Sequence, residues 1–223
     1  MEKNLNEFTY QKLKKDIMTF VLVPGEAISA AKIAERYGVS RTPAREAIVK
    51  LQKEGLVDIY PQSKSLVSWI NMERIRQEWY VRYTLEICMA ERFVRRITQD
   101  TIWAMERNLR RMEQTCDQAG DNLYLELDHE FHDLIYDTAG EFLAKEIIHT
   151  QVTHYNRIRY LTDQTPFVRE KTISEHRQLI SAARKKDEGL FEECLKVHIG
   201  RLSMDLQMLK ERYPEYFAPE YPK

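Results

Sequence analysis

Glycine and proline are scarce in this chain, 7 of each among 223 residues. That excludes collagen-like and low-complexity designs and counts against a turn-dense all-β fold. No run approaches the roughly 18 consecutive apolar residues that a membrane span needs, so no membrane partner is expected. The opening Met1-Glu2-Lys3-Asn4-Leu5-Asn6-Glu7 lacks the basic-then-apolar order of an export signal, and a cytoplasmic location follows as the expectation. Cysteine is nearly missing too: Cys88, Cys116 and Cys194 are far apart and without metal spacing, and they read as small buried apolar side chains. What is there is 43% hydrophobic and 31% charged residues, ample for a core, with few helix breakers. A mainly α protein is the expectation.

Charge is balanced overall, 34 Lys and Arg against 35 Asp and Glu, but residues 1–70 hold 11 basic and 8 acidic side chains, leaving 23 and 27 for the rest. A modestly basic head on an acidic body points to an anionic partner for the head. The periodicity divides at the same place. A helix is expected over 7–21, then a break at Pro24-Gly25, a short helix from Ala30 to Tyr37 capped by Ser29, and a third from Ser40 to about Glu54. Strand-like runs follow at 56–60 and 65–69, joined by Pro61-Gln62-Ser63-Lys64. Beyond Ile70 six amphipathic helices are expected, at about 72–97, 99–118, 121–139, 141–163, 167–185 and 187–211, with connections short enough for antiparallel neighbours. The division is a DNA-binding domain at 1–70 and an all-helical domain at 71–223.

Ala30 to Leu51 has helix-turn-helix spacing, in which Ile33, Tyr37, Val39, Ala44 and Ala47 pack two helices together and Ala34 and Gly38 allow a close crossing. The second helix then offers Arg41, Thr42 and Arg45 at the end that a recognition helix places in the major groove. Glu46 and Lys50 read as a surface pair on its outer face. The run Val39-Ser40-Arg41-Thr42-Pro43-Ala44-Arg45-Glu46-Ala47-Ile48, continued by Leu51-Gln52-Lys53-Glu54-Gly55-Leu56-Val57, resembles the winged helix-turn-helix of GntR-family bacterial transcription regulators. The resemblance implies Arg41, Thr42 and Arg45 as groove-facing positions, Ser40 as a cap and phosphate contact, and the hairpin 57–69 as the wing. Where that family usually carries Gly at the wing tip, this chain has Pro61-Gln62-Ser63-Lys64-Ser65, with Lys64 offered to the phosphates or the minor groove.

All six His lie in the body. Asp128 and His132 are four apart on one face, His176 lies in the stripe Thr172, Ile173, Leu179, Ile180, and His198 in the stripe Phe191, Leu195, Leu202. Three imidazoles and a carboxylate turned inward need partners, and a divalent metal held between helices is one explanation. For any one of them alone, a backbone carbonyl is the ordinary partner. Asp128-x-x-x-His132, Glu175-His176-x-x-Leu179-Ile180 and His198 together resemble the metal-binding FCD domain of the FadR subfamily of GntR regulators. Six helices rather than seven resemble its VanR-like branch. The resemblance implies Asp128, His132, His176 and His198 as ligands, a set that suits zinc, nickel or manganese alike. Arg82 and Glu86 stand in the apolar stripe of the first long helix, where they either pair with each other or face an effector, as the Arg of an Arg-x-x-Leu-Glu run does in this family. His154 and Arg157 are further pocket candidates.

These readings join into a homodimeric bacterial transcription regulator that binds a palindromic double-stranded DNA operator and senses a small organic acid at a metal centre. The rival is a metal-dependent enzyme in which the Asp and His cluster activates water, with Glu175 as its weak candidate base. Sensing of an acyl chain without metal would leave four inward polar residues without a purpose.

Overall fold

A computed structural model describes residues 2–116 and 123–218, with side chains from residue 5 on and excepting those of 202–205. The chain forms α1 (Glu2–Met18), β1 (Ala27–Ile28), α2 (Ala30–Tyr37), α3 (Arg41–Lys53), β2 (Val57–Tyr60) and β3 (Lys64–Val67) in the head. The body holds α4 (Met72–Arg96), α5 (Gln99–Thr115), α6 (Leu123–Ala139), α7 (Phe142–Gln151), α8 (Thr153–Thr162), α9 (Pro166–Lys185), α10 (Glu188–Ile199) and α11 (Leu202–Arg212), followed by a 3-10 turn at Pro214–Tyr216. Two apolar cores correspond to head and body. The first gathers Leu13, Ile17, Ile33, Ala44, Ala47, Ile48 and Leu51; the second gathers Phe93, Met105, Tyr124, Phe131, Ile135, Leu179, Phe191 and Leu195.

Local chemistry explains most of the head. Ser29 caps α2 by accepting from the Lys32 amide at 3.2 Å, and Gly38 takes the left-handed conformation, φ +67°, that ends it. Ser40 holds the equivalent position before α3 in extended backbone but makes no side-chain capping bond, contrary to its expected role. Its hydroxyl is therefore left for another partner. Glu46 and Lys50 do not pair with each other: Glu46 accepts from Asn6 and Lys50 reaches Glu7, because α1 lies across that face of α3.

A three-stranded antiparallel sheet, ordered β1-β3-β2, pairs Ala27 with Leu66 and Val57 with Val67. The two-residue β1 was not foreseen, since its strand signal is shorter than any period. At the wing tip the Ser63 amide donates to the Tyr60 carbonyl at 3.1 Å and Gln62 adopts φ +56°. Pro at the second and positive φ at the third position is the pattern of a type II turn, so Gln62 takes the place of the family's usual glycine.

In the body two of the six expected helices are each divided. The 187–211 helix breaks after Ile199 at Gly200, where a Cβ would stand 2.6 Å from the Lys196 carbonyl oxygen. The 141–163 helix breaks at Val152, with no Gly or Pro in the segment. There the Glu78 carboxylate, from α4, accepts from the Tyr155 amide at 2.8 Å and so satisfies a donor at the new helix start. Six helix positions thus carry eight helical segments among the described residues. The last residues expected for the second helix, 117 and 118, and the tail from 219 lie outside the described residues. The cysteines also depart from expectation: Cys88 is exposed, and Cys116 and Cys194 are half-buried. Cys88 lies on the outer face of α4, whose inner face is set by Ile75, Glu78, Arg82, Glu86, Met89 and Phe93.

Candidate functional site

Helices α6, α9 and α10 bring Asp128, His132, His176 and His198 together, all buried, with ligand atoms within 4.8 Å of one another. The Nε2 atoms of His132 and His198 are 3.0 Å apart, and those of His176 and His198 are 3.3 Å apart. Asp128 Oδ1 lies 3.5 Å from His176 Nε2. The outer nitrogens explain why the inner ones face each other. His132 Nδ1 meets Glu86 Oε2 at 2.6 Å, and His198 Nδ1 meets Glu175 Oε2 at 2.8 Å. In neutral rings those Nδ1 atoms carry the proton and donate it, so both Nε2 atoms turn bare lone pairs on one point.

Electrostatics hold this arrangement. Burial pushes His176 and His198 well below the ordinary imidazole range and keeps them neutral. Burial opposes ionisation of Asp128, but the Arg159 guanidinium beside it outweighs that and holds the carboxyl well below its usual range. Glu86 is likewise kept ionised against its burial by Arg82 and His132. Facing imidazole nitrogens beside an anionic carboxylate are a donor set that suits a cation. Zinc bonds of about 2.0–2.1 Å to nitrogen put tetrahedral neighbours about 3.3 Å apart, which the imidazole spacing matches. His176 Nδ1 is a buried nitrogen without a hydrogen-bond partner among the described residues, and its ring stacks on Phe131 at 3.8 Å. Metal coordination at the opposite nitrogen would give that ring a role.

The expected effector residues divide. Arg82 lines a cavity of about 50 Å³ beside the cluster, together with Asp128, Arg159, Asp163, His198 and Arg201. Glu86 does not line it: the carboxylate is fully buried on Arg82, His132 and the Tyr136 hydroxyl, so it orients a histidine instead of meeting a ligand. His154 and Arg157 are elsewhere, at the seam between head and body. The Asn71 amide donates to His154 Nδ1 at 3.2 Å, His154 Nε2 lies 3.0 Å from the Gly55 carbonyl oxygen, and Arg157 donates to the Ser68 carbonyl at 2.8 Å. Burial pushes His154 down to about 3, so it serves as a neutral clamp. His154 also lines a groove of about 670 Å³ at that seam with Asp58, Trp69 and Arg74, and neither residue lines the cavity beside the cluster.

That seam is built on the turn after α3. Glu54 O accepts from Arg74 and from the Thr153 hydroxyl, each at 2.9 Å, while the Glu54 carboxylate takes Tyr10 at 2.6 Å and Lys14 at 2.8 Å. Helix α8 therefore has its first turn on the recognition helix's end and its last on the cavity, where Arg159 pairs with Asp128. Thr153, Arg159, Glu175, Arg201 and Asp163 were missed as site residues or underrated; only Glu175, next to His176, offered a sequence signal.

On the head, Arg41, Thr42, Arg45 and Lys64 are exposed, and none of these basic side chains forms an ion pair with a described residue. Arg45 and Lys64 line one groove between α3 and the wing. Free cations on a helix start and a wing tip suit phosphate and base edges.

Comparison with known proteins agrees with this division. The FCD domain family matches residues 79–201, more than half of the chain, and the gntR family of bacterial regulatory proteins matches residues 5–67. The HTH-type transcriptional repressor RspR of Escherichia coli (strain K12) is 28% identical over 216 residues, spanning 97% of this chain and 95% of its own. The HTH-type transcriptional regulator McbR of the same strain is 22% identical over 185 residues, 82% of this chain and 84% of its own. Among solved structures, Escherichia coli McbR/YncC aligns with a TM-score of 0.78 at 19% identity, covering 94% of this chain and 98% of that one. Lar, which controls the expression of the Listeria monocytogenes agr system, aligns at 0.63 and 18%, covering 92% and 97%. These two likenesses establish the fold. With a gntR-type head and an FCD body, the chain belongs to the GntR family of DNA-binding transcription regulators and is not an enzyme.

Proposed function

We propose that this regulator is a cytoplasmic homodimer whose affinity for a palindromic operator is set by a small carboxylate-bearing metabolite bound at a metal centre in residues 71–223, with residues 1–70 reading the DNA. The observation that carries the reading is the convergence of three imidazoles and the Asp128 carboxylate on one point, beside a cavity lined by Arg82, Arg159 and Arg201. Asp128, His132, His176 and His198 would hold zinc, nickel or manganese, and the bound metal would supply a Lewis-acid site for a carboxylate oxygen. The arginines supply the remaining charge complement. Glu86 and Glu175 fix the ligand tautomers, and His154 and Arg157 hold the head.

Coupling in this reading runs through α8. Its ten residues span about 15 Å, short enough for a stiff lever between the cavity and Gly55. A ligand that changes the Arg159–Asp128 pairing moves the helix whose other end clamps α3, and only the ligand's differential affinity for the two arrangements changes operator affinity, typically by about 1 to 3 kcal/mol. In the head, Ser40, Arg41, Thr42, Arg45 and Lys64 would contact DNA, Arg45 reading a base edge and Lys64 a phosphate or the minor groove.

The test is selection of genomic DNA fragments by the purified protein, followed by sequencing of those retained. One or a few palindromic sites are expected. Arg45→Ala should then bind the selected site more weakly by roughly 1 to 3 kcal/mol, about 5- to 150-fold, without a change in melting temperature. Retained fragments with no common sequence, or an Arg45→Ala protein with full affinity, would overturn the DNA-reading assignment.

A further inference from the structure

Head and body are joined by a short piece of chain, 68–71, whose backbone groups bond to partners distant in sequence. The Ser68 amide donates to the Leu56 carbonyl at 3.1 Å, the Ser68 carbonyl accepts from Arg157 at 2.8 Å, and the Asn71 amide donates to His154 Nδ1 at 3.2 Å. Both backbone groups of Ile70 are taken by the C-terminal segment. Its amide donates to the Tyr216 carbonyl at 2.8 Å and its carbonyl accepts from the Ala218 amide at 3.0 Å, which makes a parallel bridge between Ile70 and Phe217. Both side chains are buried in the body's core. The same segment reaches the head. Phe20, just after α1, stacks on Tyr216 at 4.9 Å and on Tyr160 of α8 at 6.0 Å, with the Arg157 guanidinium 5.2 Å from its ring. Phe20 has φ +58°, a conformation that a bulky L residue keeps only where its surroundings enforce it. The chain is bent here against its own preference, and the bend sets this ring against α8 and the C-terminal segment.

We infer that residues 213–218 are a releasable strap that fixes how the head is set on the body. The turn after α3 already fastens the head at Glu54 and Gly55, where Arg74, Thr153 and His154 hold it. A rigid unit held at one place pivots about it, and the second hold, through Ile70 and Phe20, removes that freedom. The strap is also the part that opens with least disturbance elsewhere. Among the described residues it pairs by a single bridge instead of a ladder, and its 3-10 turn, Pro214–Tyr216, has no buried residue. Segments with few buried contacts open locally while the core stays closed. With the strap seated, the recognition helix keeps one place relative to its own body; with it open, the head turns on the Glu54 and Gly55 fastening and neither core unfolds. Resting on the reading of a homodimer on a palindromic operator, the strap thereby sets how strictly the regulator measures the spacing of the two half-sites.

Hydrogen exchange and operator binding of the full chain test this in Phe217→Asp, which puts a charge at the strap's buried anchor, and in Phe217→Leu, which keeps an apolar one. In Phe217→Asp the amides of 68–71 are expected to exchange about tenfold faster, with those of α3 and α6 within about twofold of the unaltered chain; Phe217→Leu should stay within about twofold throughout. One base pair added between the half-sites turns one of them by about 34° relative to the other. That insertion should weaken binding by the unaltered chain and by Phe217→Leu about tenfold, and by Phe217→Asp no more than about threefold. Unchanged exchange at 68–71 would overturn the strap, and an opened linker with full strictness of spacing would overturn its part in measuring the operator. Exchange raised throughout α3 and α6, in Phe217→Asp and in the milder Phe217→Ser alike, would make the segment a fixed part of the core and overturn its release. An unaltered chain that binds both spacings equally, while 68–71 responds as expected, would overturn the palindromic-dimer reading and leave the strap standing.

Discussion

Zinc added to the metal-free protein is expected to stabilise it by about 4 kcal/mol when free zinc stands a thousandfold above its dissociation constant. His176→Ala should remove most of that gain. The size of the effect comes from the geometry of the nitrogens. His132 and His198 are held from outside by Glu86 and Glu175, so their Nε2 atoms face each other at 3.0 Å. Asp128 adds a negative charge within 3.5 Å of His176. A cation held by these four residues would relieve that crowding, and it would bind the folded chain alone because they come from α6, α9 and α10. The readout is the zinc-dependent shift in melting temperature, taken separately for each protein. The absolute stability of His176→Ala also reports lost stacking on Phe131. No shift with zinc, nickel or manganese would contradict the metal assignment.

Gly55→Ala is expected to cost about 3 kcal/mol and to free the head from the body. Gly55 has φ +75°, a conformation that costs an L residue roughly 1 to 2 kcal/mol. The added Cβ would also lie 1.8 Å from Arg74 Nη1. That guanidinium can move only by giving up the Glu54 carbonyl at 2.9 Å and the Glu78 carboxylate at 2.7 Å, bonds to a charged group worth about 1.5 to 3 kcal/mol each. Gly38→Ala is the internal comparison. It has φ +67° but nothing within 4 Å of the new Cβ, so only the backbone term of about 1 to 2 kcal/mol should appear. Chemical denaturation reads the two costs and limited proteolysis reads the loosened seam. Equal costs at Gly38 and Gly55 would contradict the close approach of Arg74 as the lock.

The sequence made the head legible because its signals are local. A capping Ser29, a left-handed Gly38 and small residues at the helix crossing each act within a few positions of themselves. The convergence of Asp128, His132, His176 and His198 was legible for a related reason: Asp128 and His132 share a face by spacing alone, and the four side chains belong to the pattern of a known domain. What escaped depended on partners distant in the chain. The break at Val152 has no Gly or Pro to mark it, because the start of α8 is satisfied by Glu78, more than seventy residues earlier. Periodicity reported that His154 and Arg157 turn inward and not that they meet the head at the seam. Glu86 shows the converse: its pairing with Arg82 at four spacing was legible, and its hold on His132 was not. Gly200, by contrast, offered a local signal inside the helical run 187–211, and the reading carried the helix through it.

The most direct test of the metal-centred control of DNA binding is the affinity of the full chain for its selected operator, measured by fluorescence anisotropy on chelator-treated protein, zinc-loaded protein and zinc-loaded protein with acetate as a small carboxylate at one fixed salt concentration. A change in affinity of about 5- to 150-fold between the metal-free protein and the loaded, acid-bound protein is expected, and it should be absent from His176→Ala. Identical operator affinity in all three states, from protein whose zinc content has been verified, would contradict it.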